Sequence, residues 1–563
     1  MPIARAARVA AARMVGLVAL ASGCGSGALG ELRFENRPPI RALADRRPIA
    51  QPEEHEDGKI TASAGALLGT EPMYLLSVPG PQPALDVNAH EEVPDSSWFT
   101  NRIGQRELGP AQIARGPGDG GPDRSRPLRV LSSKQAGTAP GLVVEDAAGE
   151  RYFLKLDPIW PETETAADVV VQRLLWAAGY NVPDNDVIGL ARSELVLADD
   201  ATQKDELGAK RPFTAQALDA LLAGAPRRRD GRYRVLASKF LPGKPLGGFA
   251  PLGVRPDDAN DRIAHQHRRT VRAQHVFFAW LGHTDVKPAN TLDTWIEQPE
   301  GSGRGYVVHH LLDFGKALGV WGRDRAREAD GYAAQFDYGV AARSLLSFGL
   351  WRRPWEDVRA PSLRGVGRYE AEHFDPEMYS PTNPYAPFLY ADRQDGFWAA
   401  RIIARFAREH IAAAVDAGRY TDPRARDYLI DTIVARQRKT LRHWFAQVAP
   451  LDRFTVQSSA SGVRVCAVDL ALLHGVAEAK RTRYRAQSYD YDGDRLGPPR
   501  VASGAREGAV CIAGLPSAAG DGETYTMIAF EVWRGNEALP GLVLHLARPR
   551  GGGALRIIGI ERS

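Results

Sequence analysis

The sequence predicts an α+β fold in which the pattern of apolar residues changes twice along the chain. Short strand-like runs fill residues 128–156, and apolar residues recur at helical spacing in 332–350, 393–417 and 422–447. Short alternating runs return after Phe454. We therefore expect a core with a small β-rich part and a helical part, followed by a small β-rich C-terminal domain.

Size and composition narrow the class of protein. A chain of 563 residues can bury two or three separate cores, and 44% hydrophobic and 25% charged residues are ordinary for globular proteins. Neither disorder throughout nor a polytopic membrane protein is expected. The 72 basic and 68 acidic residues give a formal net charge of only +4, so we expect no nucleic-acid partner.

The first residues have the pattern of an export signal. Three arginines precede a short apolar run, 14–21, which ends in small residues before Cys24. This arrangement resembles the lipobox of bacterial lipoproteins. The resemblance implies a signal peptide at 1–24, a lipid on Cys24, and a protein anchored in the cell envelope on the extracytoplasmic side of a bacterial membrane, periplasmic or outer. An ordinary secreted protein with a free Cys24 is the alternative.

Composition divides the rest of the chain into five parts. Residues 25–90 are rich in Gly, Pro, Ala and charge without a sustained period, which predicts a tether. An aromatic pair within 91–127 predicts an extension docked on the domain that follows. The core then has two parts, 128–245 and 246–452, and the β-rich C-terminal domain is 453–563.

Two cysteines, Cys466 and Cys511, lie in the C-terminal domain. An even pair in an oxidising compartment predicts a disulfide. Zinc is not expected, because neither cysteine belongs to a Cys-x-x-Cys motif.

Three strand-like runs open the core, at 128–131, 142–145 and 152–156. A polar loop with two glycines joins the first two runs and has the size of a phosphate-binding loop. The next segment, 165–178, repeats apolar residues at helical spacing and ends at Gly179, the usual position of a glycine that terminates a helix.

An acid, a lysine and an amide follow a helical segment that we expect to begin at Asp261 and to run through Trp280. They form the motif Asp-x-Lys-Pro-x-Asn at 285–290, and Asp-Phe-Gly follows at 313–315 after a strand. Each polar residue alone would be read as a turn or cap residue. Together their spacing matches phosphoryl transfer, which needs a base for a hydroxyl group and oxygen ligands for a metal ion.

This series resembles the protein-kinase-like fold. The resemblance rests on 285–290, on 313–315 and on the run Tyr-Phe-Leu-Lys at 152–155, and it covers roughly residues 128 to 450. Atypical bacterial kinases are closer to it than eukaryotic signalling kinases. It implies a two-lobed core, with a small β-rich N-lobe and a helical C-lobe. It also implies the use of ATP and Mg²⁺ (or Mn²⁺) to transfer phosphate to a hydroxyl-bearing acceptor, a protein or a small molecule.

The resemblance assigns roles within the two motifs. Asp285 is the expected base that orients or deprotonates the acceptor hydroxyl, and Lys287 would neutralise charge on the transferred group. Asn290 and Asp313 are the expected metal ligands, since both supply the hard oxygen atoms that Mg²⁺ prefers.

Further residues are expected to hold the nucleotide. Lys155 would contact the phosphates, paired with Asp168 or, as the second choice, Glu164 four residues earlier on the same helix face. Lysine is itself informative, because only 11 of the 72 basic residues are lysine. Lys134 and Gly137, in the loop after the first strand, are weaker candidates, with an ordinary polar hairpin as the alternative.

Three other features are expected to be structural. His265, His267 and His283 are predicted to pack or to lie on a helix surface. The stretch 255–261 is predicted to be an Asx-rich helix entry, although it could bind an ion. The acidic run 490–494 resembles a calcium loop but lacks the distal Glu, so a turn is the expectation.

Two functions compete with an exported ATP-dependent phosphotransferase. The first is a catalytically silent envelope scaffold in which the C-terminal β domain does the binding. The second is a nucleotidyl transferase on the same fold. Retention of all five chemistry-bearing residues favours the phosphotransferase; they are Lys155, Asp285, Lys287, Asn290 and Asp313.

Overall fold

The computed structural model has several β-sheets and two groups of helices, so the predicted α+β class is confirmed. It describes residues 34–55, 82–118, 120–134, 141–157, 160–204, 209–322, 324–334, 337–459, 461–505, 507–520, 522–551 and 553–563. Within these ranges, no helix is long and apolar enough to cross a membrane.

A seven-stranded sheet forms the first part of the core. Its strands are β1 (Leu128–Lys134), β2 (Gly141–Glu145), β3 (Arg151–Leu156), β4 (Asn185–Leu190), β5 (Leu195–Lys204), β6 (Lys210–Pro212) and β7 (Tyr233–Lys239). The spatial order is β4–β7–β3–β2–β1–β5–β6, and β1–β5 is its one parallel pair. The three predicted strands of this region are β1, β2 and β3.

Helices cover both faces of this sheet because its side chains alternate. Leu218 and Leu222 of α3 (Ala215–Ala223) pack on the face that carries the buried residues of β1 to β3. Val169 of α2 (Glu164–Ala178) packs against the opposite face, on Val187 and Leu236. A short helix, α1 (Pro110–Arg115), precedes the sheet. Helix α2, which contains the acidic residues Glu164 and Asp168, therefore lies against one face of the sheet.

Helix α2 ends where the sequence predicts. Gly179 takes a positive φ of 139° and its N–H donates to the carbonyl oxygens of Leu175 and Trp176. The ring of Phe99 occupies the space that a side chain at Gly179 would need. Glycine is therefore required here for the turn and also for the packing of the aromatic pair.

Helices and two small sheets make up the second part of the core. The helices are α4 (Arg269–Arg272), α5 (Gln274–Leu281), α6 (Tyr338–Leu346), α7 (Arg393–Ile403), α8 (Arg408–Ala417) and α9 (Pro423–Phe445). The strands are β8 (Lys244–Gly247), β9 (Thr291–Glu297) and β10 (Gly305–Leu311) in the order β10–β9–β8, and the pair β11 (Val320–Trp321) and β12 (Asp324–Arg325). One large apolar cluster joins α4, α5, α7, α8 and α9 to α2.

The single helix expected from Asp261 to Trp280 is wrong. Residues 265–267 form a 3₁₀ turn, and the helices α4 and α5 follow separately. Asp261 is buried and accepts hydrogen bonds from the backbone of Arg255 and from the side chain of Arg268, so its carboxylate does not cap a helix.

The C-terminal region consists of two sheets around an apolar cluster of their own. Its elements are β13 (Leu451–Ser459), β14 (Gly462–Asp469), α10 (Leu470–Leu473), β15 (Thr482–Tyr489), β16 (Arg500–Ser503), β17 (Ala509–Leu515), β18 (Thr524–Arg534), β19 (Glu537–Ala538), β20 (Leu542–Arg548) and β21 (Arg556–Arg562). Cys466 and Cys511 are opposite each other on β14 and β17 and form a disulfide, as predicted.

Residues 34–55, which fall in the predicted tether, are packed against the folded regions. The ring of Phe34 lies 4.7 Å from that of His545 in the C-terminal region. Ile49 pairs with Gly305 at the start of β10, and Asp45 is buried. Apolar anchors spaced along this segment therefore hold it in contact with both the core and the C-terminal sheets.

Candidate functional site

Lys155 brings two acidic residues from distant parts of the chain together. It lies on the α2-facing side of β3, between the buried Leu154 and Leu156. Its Nζ is 2.7 Å from Oδ1 of Asp313, just after β10, and 3.4 Å from Oδ2 of Asp168 on α2. The sequence-predicted lysine, helix acid and Asp-Phe-Gly acid thus form one cluster.

Burial and neighbouring charges together determine the pKa values of this cluster. Burial disfavours the charge on Lys155, but Asp313 and Asp168 more than offset this effect, so the pKa of Lys155 lies above its ordinary value. Burial also raises the pKa of Asp168 to about 6, although the lysine opposes the shift. Asn185 on β4 supports Asp168 with a 2.8 Å hydrogen bond from Nδ2 to Oδ1. Asp313, Lys155 and Asp168 thus alternate in charge, and Asp313 is the most exposed of the three side chains.

Glu164, the second choice for the helix acid, lies beside this cluster without joining it. Burial raises its pKa to about 7, with Lys155 opposing and Asp313 adding to the shift. Its Oε1 is buried and makes no hydrogen bond with the part of the chain that is described. A buried carboxyl oxygen without a partner is costly, and it provides an acceptor for a donor that the chain itself does not supply.

The Asp-Phe-Gly segment has an unusual backbone. Asp313 has φ of 55°, a left-handed conformation that few residues other than glycine adopt. Phe314 next to it is fully buried, with its ring 5.7 Å from that of His283. A side chain at Gly315 would come within 3.3 Å of Cβ of Glu164. The buried phenylalanine and the tight glycine together hold the Asp313 carboxylate towards Lys155.

The second motif forms its own cluster around Asp285. Lys287 Nζ lies 3.0 Å from Oδ1 and 2.9 Å from Oδ2 of this carboxylate, and Lys316 Nζ lies 3.0 Å from Oδ2. Burial would raise the pKa of Asp285, but the two lysines outweigh it and hold the pKa below its usual value. Asp285 is therefore an ionised carboxylate near neutral pH.

Backbone hydrogen bonds connect the two clusters. The N–H of Leu312 donates to the carbonyl of Asn290 at 2.9 Å, and the N–H of Thr284 donates to the carbonyl of Lys316 at 3.3 Å. The loop at 285–290 and the loop after β10 are thus held side by side. These backbone hydrogen bonds hold the Lys155 cluster and the Asp285 cluster next to each other.

Asn290 contacts Asp285 through its amide nitrogen. Its Nδ2 donates to the backbone oxygen of Asp285 at 2.7 Å and to Oδ2 of Asp285 at 3.2 Å. Both contacts use the amide nitrogen, so the harder oxygen atom is left for another partner. No group of three or more His, Cys, Asp or Glu residues that could hold a metal ion is present in the described ranges. An ion held by Asn290 and Asp313 would therefore take its remaining oxygen ligands from water and phosphate, which is the usual coordination of Mg²⁺.

The remaining predicted residues are Lys134, Gly137 and Cys24. Lys134 is the last residue of β1, and its backbone is paired with Gly141, which is paired in turn with Lys155. The loop after β1 therefore starts level with Lys155 in the sheet. Gly137 and Cys24 lie outside the described residues, as does the whole signal peptide at 1–24.

Lys316 and Asn185 are site residues that the sequence pattern did not identify. Lys316 carried a usable signal: it is one of only 11 lysines and directly follows Asp-Phe-Gly. Its Nζ also lies 4.4 Å from the ring centre of Trp321, which fixes its direction. Asn185 carried no signal, because nothing local shows that β4 lies beside α2.

The stretch 255–261 belongs to a second, buried network. Asp261 accepts hydrogen bonds from the backbone of Arg255 at 2.7 Å and from Arg268 at 2.8 Å, and its Oδ2 is 2.7 Å from Nε2 of His265. Arg268 also lies 4.7 Å over the ring of Trp98. The network holds the N-terminal segment on the core. His265 is therefore a packing residue, as expected, whereas 255–261 belongs to this network and is not the predicted helix entry.

The remaining alternatives also have ordinary surroundings. His283 is buried, and burial lowers its pKa to about 4, so it is a neutral packing residue at physiological pH. His267 lies against Arg272 and Tyr390. Asp490 and Asp494 hydrogen-bond to each other across a turn, as expected for 490–494.

Comparisons with protein-family models, with curated proteins and with solved structures find no match to this chain. The interpretation of the site therefore depends on its own geometry.

Proposed function

We propose that this protein is an ATP- and Mg²⁺-dependent phosphotransferase with a two-lobed, protein-kinase-like core. The observation that carries the proposal is the convergence of residues predicted independently along the sequence. Lys155, Asp168 and Asp313 meet in one cluster, Asp285, Lys287 and Asn290 meet in another, and backbone hydrogen bonds hold the two side by side. Phosphoryl transfer requires such an arrangement of cations, a base and oxygen ligands.

The arrangement of the fold supports this proposal. The seven-stranded sheet with α2 would be the N-lobe, and the helices α4 to α9 would be the C-lobe. Lys155 and Asp168 then belong to the N-lobe, whereas Asp285, Asn290 and Asp313 belong to the C-lobe. A nucleotide bound between the lobes would meet both sets of residues.

Each residue has a distinct part in the proposed reaction. ATP would supply the phosphoryl group, and Asn290 and Asp313 would hold the Mg²⁺ ion that neutralises its charge. Lys155, released from its direct contact with Asp313, would bind phosphate oxygens. Asp285 would accept a hydrogen bond from the acceptor hydroxyl through Oδ1, which accepts one such bond, from Lys287, whereas Oδ2 accepts from Lys287, Lys316 and Asn290. Lys287 and Lys316 would keep that carboxylate ionised and face the transferred group.

The predicted export signal would put the proposed activity in the cell envelope. A lipid on Cys24 would anchor the protein to a bacterial membrane on its extracytoplasmic side, where the acceptor would be an envelope protein or small molecule. Oxidation of Cys466 and Cys511 is consistent with such a compartment.

Transfer of label from ATP tests the proposal. The full chain is incubated with Mg²⁺ and ATP labelled on the γ-phosphate, and label is measured on the protein itself, on added envelope extract and as free phosphate. Asp285→Asn should lower the sum of these rates by about 10²- to 10⁴-fold, the usual contribution of a positioned base. Asp427→Asn is the matched control, because Asp427 is exposed on α9.

An unchanged rate in Asp285→Asn would contradict the mechanism. Absence of transfer from wild type, together with absence of nucleotide binding, would favour the silent envelope scaffold, in which the C-terminal sheets are the binding surface. Label carried from the α-phosphate instead would favour nucleotidyl transfer. The mass added to the product separates the two reactions.

A further inference from the structure

The disulfide between Cys466 and Cys511 lies on the outer face of the sheet formed by β13, β14 and β17. Side chains alternate between the two faces of a strand. The inward side chains of β14 and β17 belong to the apolar cluster of the C-terminal region; they are Val463, Val465, Ala467, Val510, Ile512 and Leu515. The two cysteines alternate with these residues, and Cys511 is exposed while Cys466 is partly exposed. The disulfide is therefore accessible from solvent.

Small side chains surround the two cysteines on this face. Along β17, Cys511 has the exposed Ala509 and Ala513 as its neighbours on the same side. On β13, the residue opposite Cys466 is the exposed Thr455. Within the described residues, β17 is an edge strand of this sheet. These small neighbours and the sheet edge leave room for another sulfur atom to approach Sγ of Cys511.

The strands that carry the cysteines are also held together without the disulfide. Backbone pairing of β14 with β17 runs from Val463 opposite Leu515 to Val468 opposite Ala509, and β14 pairs with β13 on its other side. A disulfide stabilises a protein mainly by restricting the unfolded chain. Breaking this bond should therefore leave the folded sheet intact, and exposed disulfides of this kind are the ones that undergo exchange.

Charge on the same face favours an incoming thiolate. Arg464 is exposed two residues before Cys466 on the outer face of β14, about 7 Å along the strand. A nearby cation stabilises both an attacking and a leaving thiolate. The two acidic residues of these three strands lie near strand ends, and each is paired with an arginine; the pairs are Asp452 with Arg401 and Asp469 with Arg534.

We propose that the disulfide between Cys466 and Cys511 is an exchange site for a dithiol, which attacks Sγ of Cys511. A thiolate of the dithiol forms a bond to this sulfur, the bond between the two cysteines breaks, and Cys466 leaves as a thiolate. The second thiolate of the dithiol then displaces Cys511 from the mixed disulfide. The dithiol loses two electrons and becomes a disulfide, and both cysteines become thiols with the protons that the dithiol released. Cys511 is the attacked residue because it is the more exposed of the two and lies on the edge strand.

Reduction of the folded full chain tests this proposal, which does not depend on phosphoryl transfer. The protein is treated with dithiothreitol or with reduced thioredoxin, each with and without urea, and is then alkylated. Peptide mass measures the label on Cys466 and Cys511 separately from that on Cys24, and far-UV circular dichroism reports the fold. Without urea, both cysteines should be labelled to the same extent as in urea, with an unchanged spectrum.

Label that appears only in urea, or loss of the folded spectrum on reduction, would overturn the proposal. Both results would mean that the disulfide is a structural bond. Faster reduction by thioredoxin than by an equal concentration of dithiothreitol would support exchange with a protein dithiol, and slower reduction would support exchange with a small one.

Single substitutions test which sulfur is attacked. Cys466→Ser leaves a free Cys511, Cys511→Ser leaves a free Cys466, and each folded variant is treated with glutathione disulfide. Cys511 should form the mixed disulfide about tenfold faster than Cys466, because exposure controls access of the second sulfur. The double variant is the control for reaction at Cys24. Equal rates, or faster reaction at Cys466, would contradict attack at Cys511.

Discussion

Asp313 and Asp261 are each paired with a cationic side chain, yet their surroundings differ in two ways. The side chain of Asp313 is 42% exposed, whereas that of Asp261 is completely buried. Asp261 fills its acceptor capacity with Arg255, His265 and Arg268, while Glu164, beside the Asp313 cluster, has an Oε1 without a hydrogen-bond partner in the described residues. A satisfied buried network stabilises the fold, and an open one can bind.

The comparison shows what distinguishes a site from a scaffold in this chain. Both clusters contain acids and cations from distant parts of the sequence, so residue types alone do not separate them. Burial would raise the pKa of Asp261, but hydrogen bonding from His265 and nearby positive charge hold that pKa well below its ordinary value. In contrast, burial prevails at Glu164 and raises its pKa. The carboxylate of Asp261 is therefore well compensated, whereas that of Glu164 is not.

Matched substitutions should separate the two clusters most clearly. Asp261→Asn removes the charge between Arg268 and His265 and turns an amide donor towards other donors, so it should lower the free energy of unfolding by about 3–5 kcal/mol. Asp313→Asn should lower it by less than about 1 kcal/mol, because Lys155 keeps Asp168 as a partner and Asp313 is partly exposed. Urea denaturation of both variants measures the difference. Equal losses of unfolding free energy in the two variants would mean that the Asp313 cluster, like the Asp261 network, serves to stabilise the fold.

A smaller, pH-dependent effect is expected at Glu164. Its pKa is about 7 in the folded protein, against roughly 4.3 in an unfolded chain. Because the folded-state pKa is the higher one, its contribution to stability is complete below about pH 4 and is lost as the pH rises through about 7. Glu164→Gln should therefore raise the free energy of unfolding by about 1–3 kcal/mol at pH 8, and by less at pH 5.

Urea denaturation at the two pH values checks the Glu164 prediction, with Glu107→Gln as a control at an exposed position. A gain in Glu164→Gln that is the same at pH 5 and pH 8 would show that Glu164 does not change its charge in this range. In that case, a raised pKa of Glu164 would not be a property of the site.

Local patterns were enough to predict most elements that carry the site. Strands β1 to β3, helix α2 with its terminal Gly179, and strand β10 all lie where alternation or helical spacing placed them. The charged pairs of Lys155 could be anticipated because three short motifs occur in a fixed order. The disulfide could be anticipated because only two cysteines follow Cys24.

Contacts that depend on long-range packing could not be predicted. The helix expected from Asp261 is broken because Asp261 is drawn into a buried network with Arg268 and His265, and no local rule shows this. Residues 34–55 have the composition of a tether, yet Phe34 and Ile49 find distant apolar partners. Lys316 reaches Asp285 only because Thr284 pairs with the Lys316 backbone.

Calorimetric titration with Mg²⁺–ATP tests most directly the claim that the Lys155 cluster is a ligand site. Wild type should bind one equivalent, and Lys155→Met should weaken binding by at least about tenfold, or about 1.4 kcal/mol. Lys239→Met, on the adjacent strand β7 and partly exposed, should bind as wild type does. Absence of binding to wild type, or equal affinity in Lys155→Met, would contradict the account.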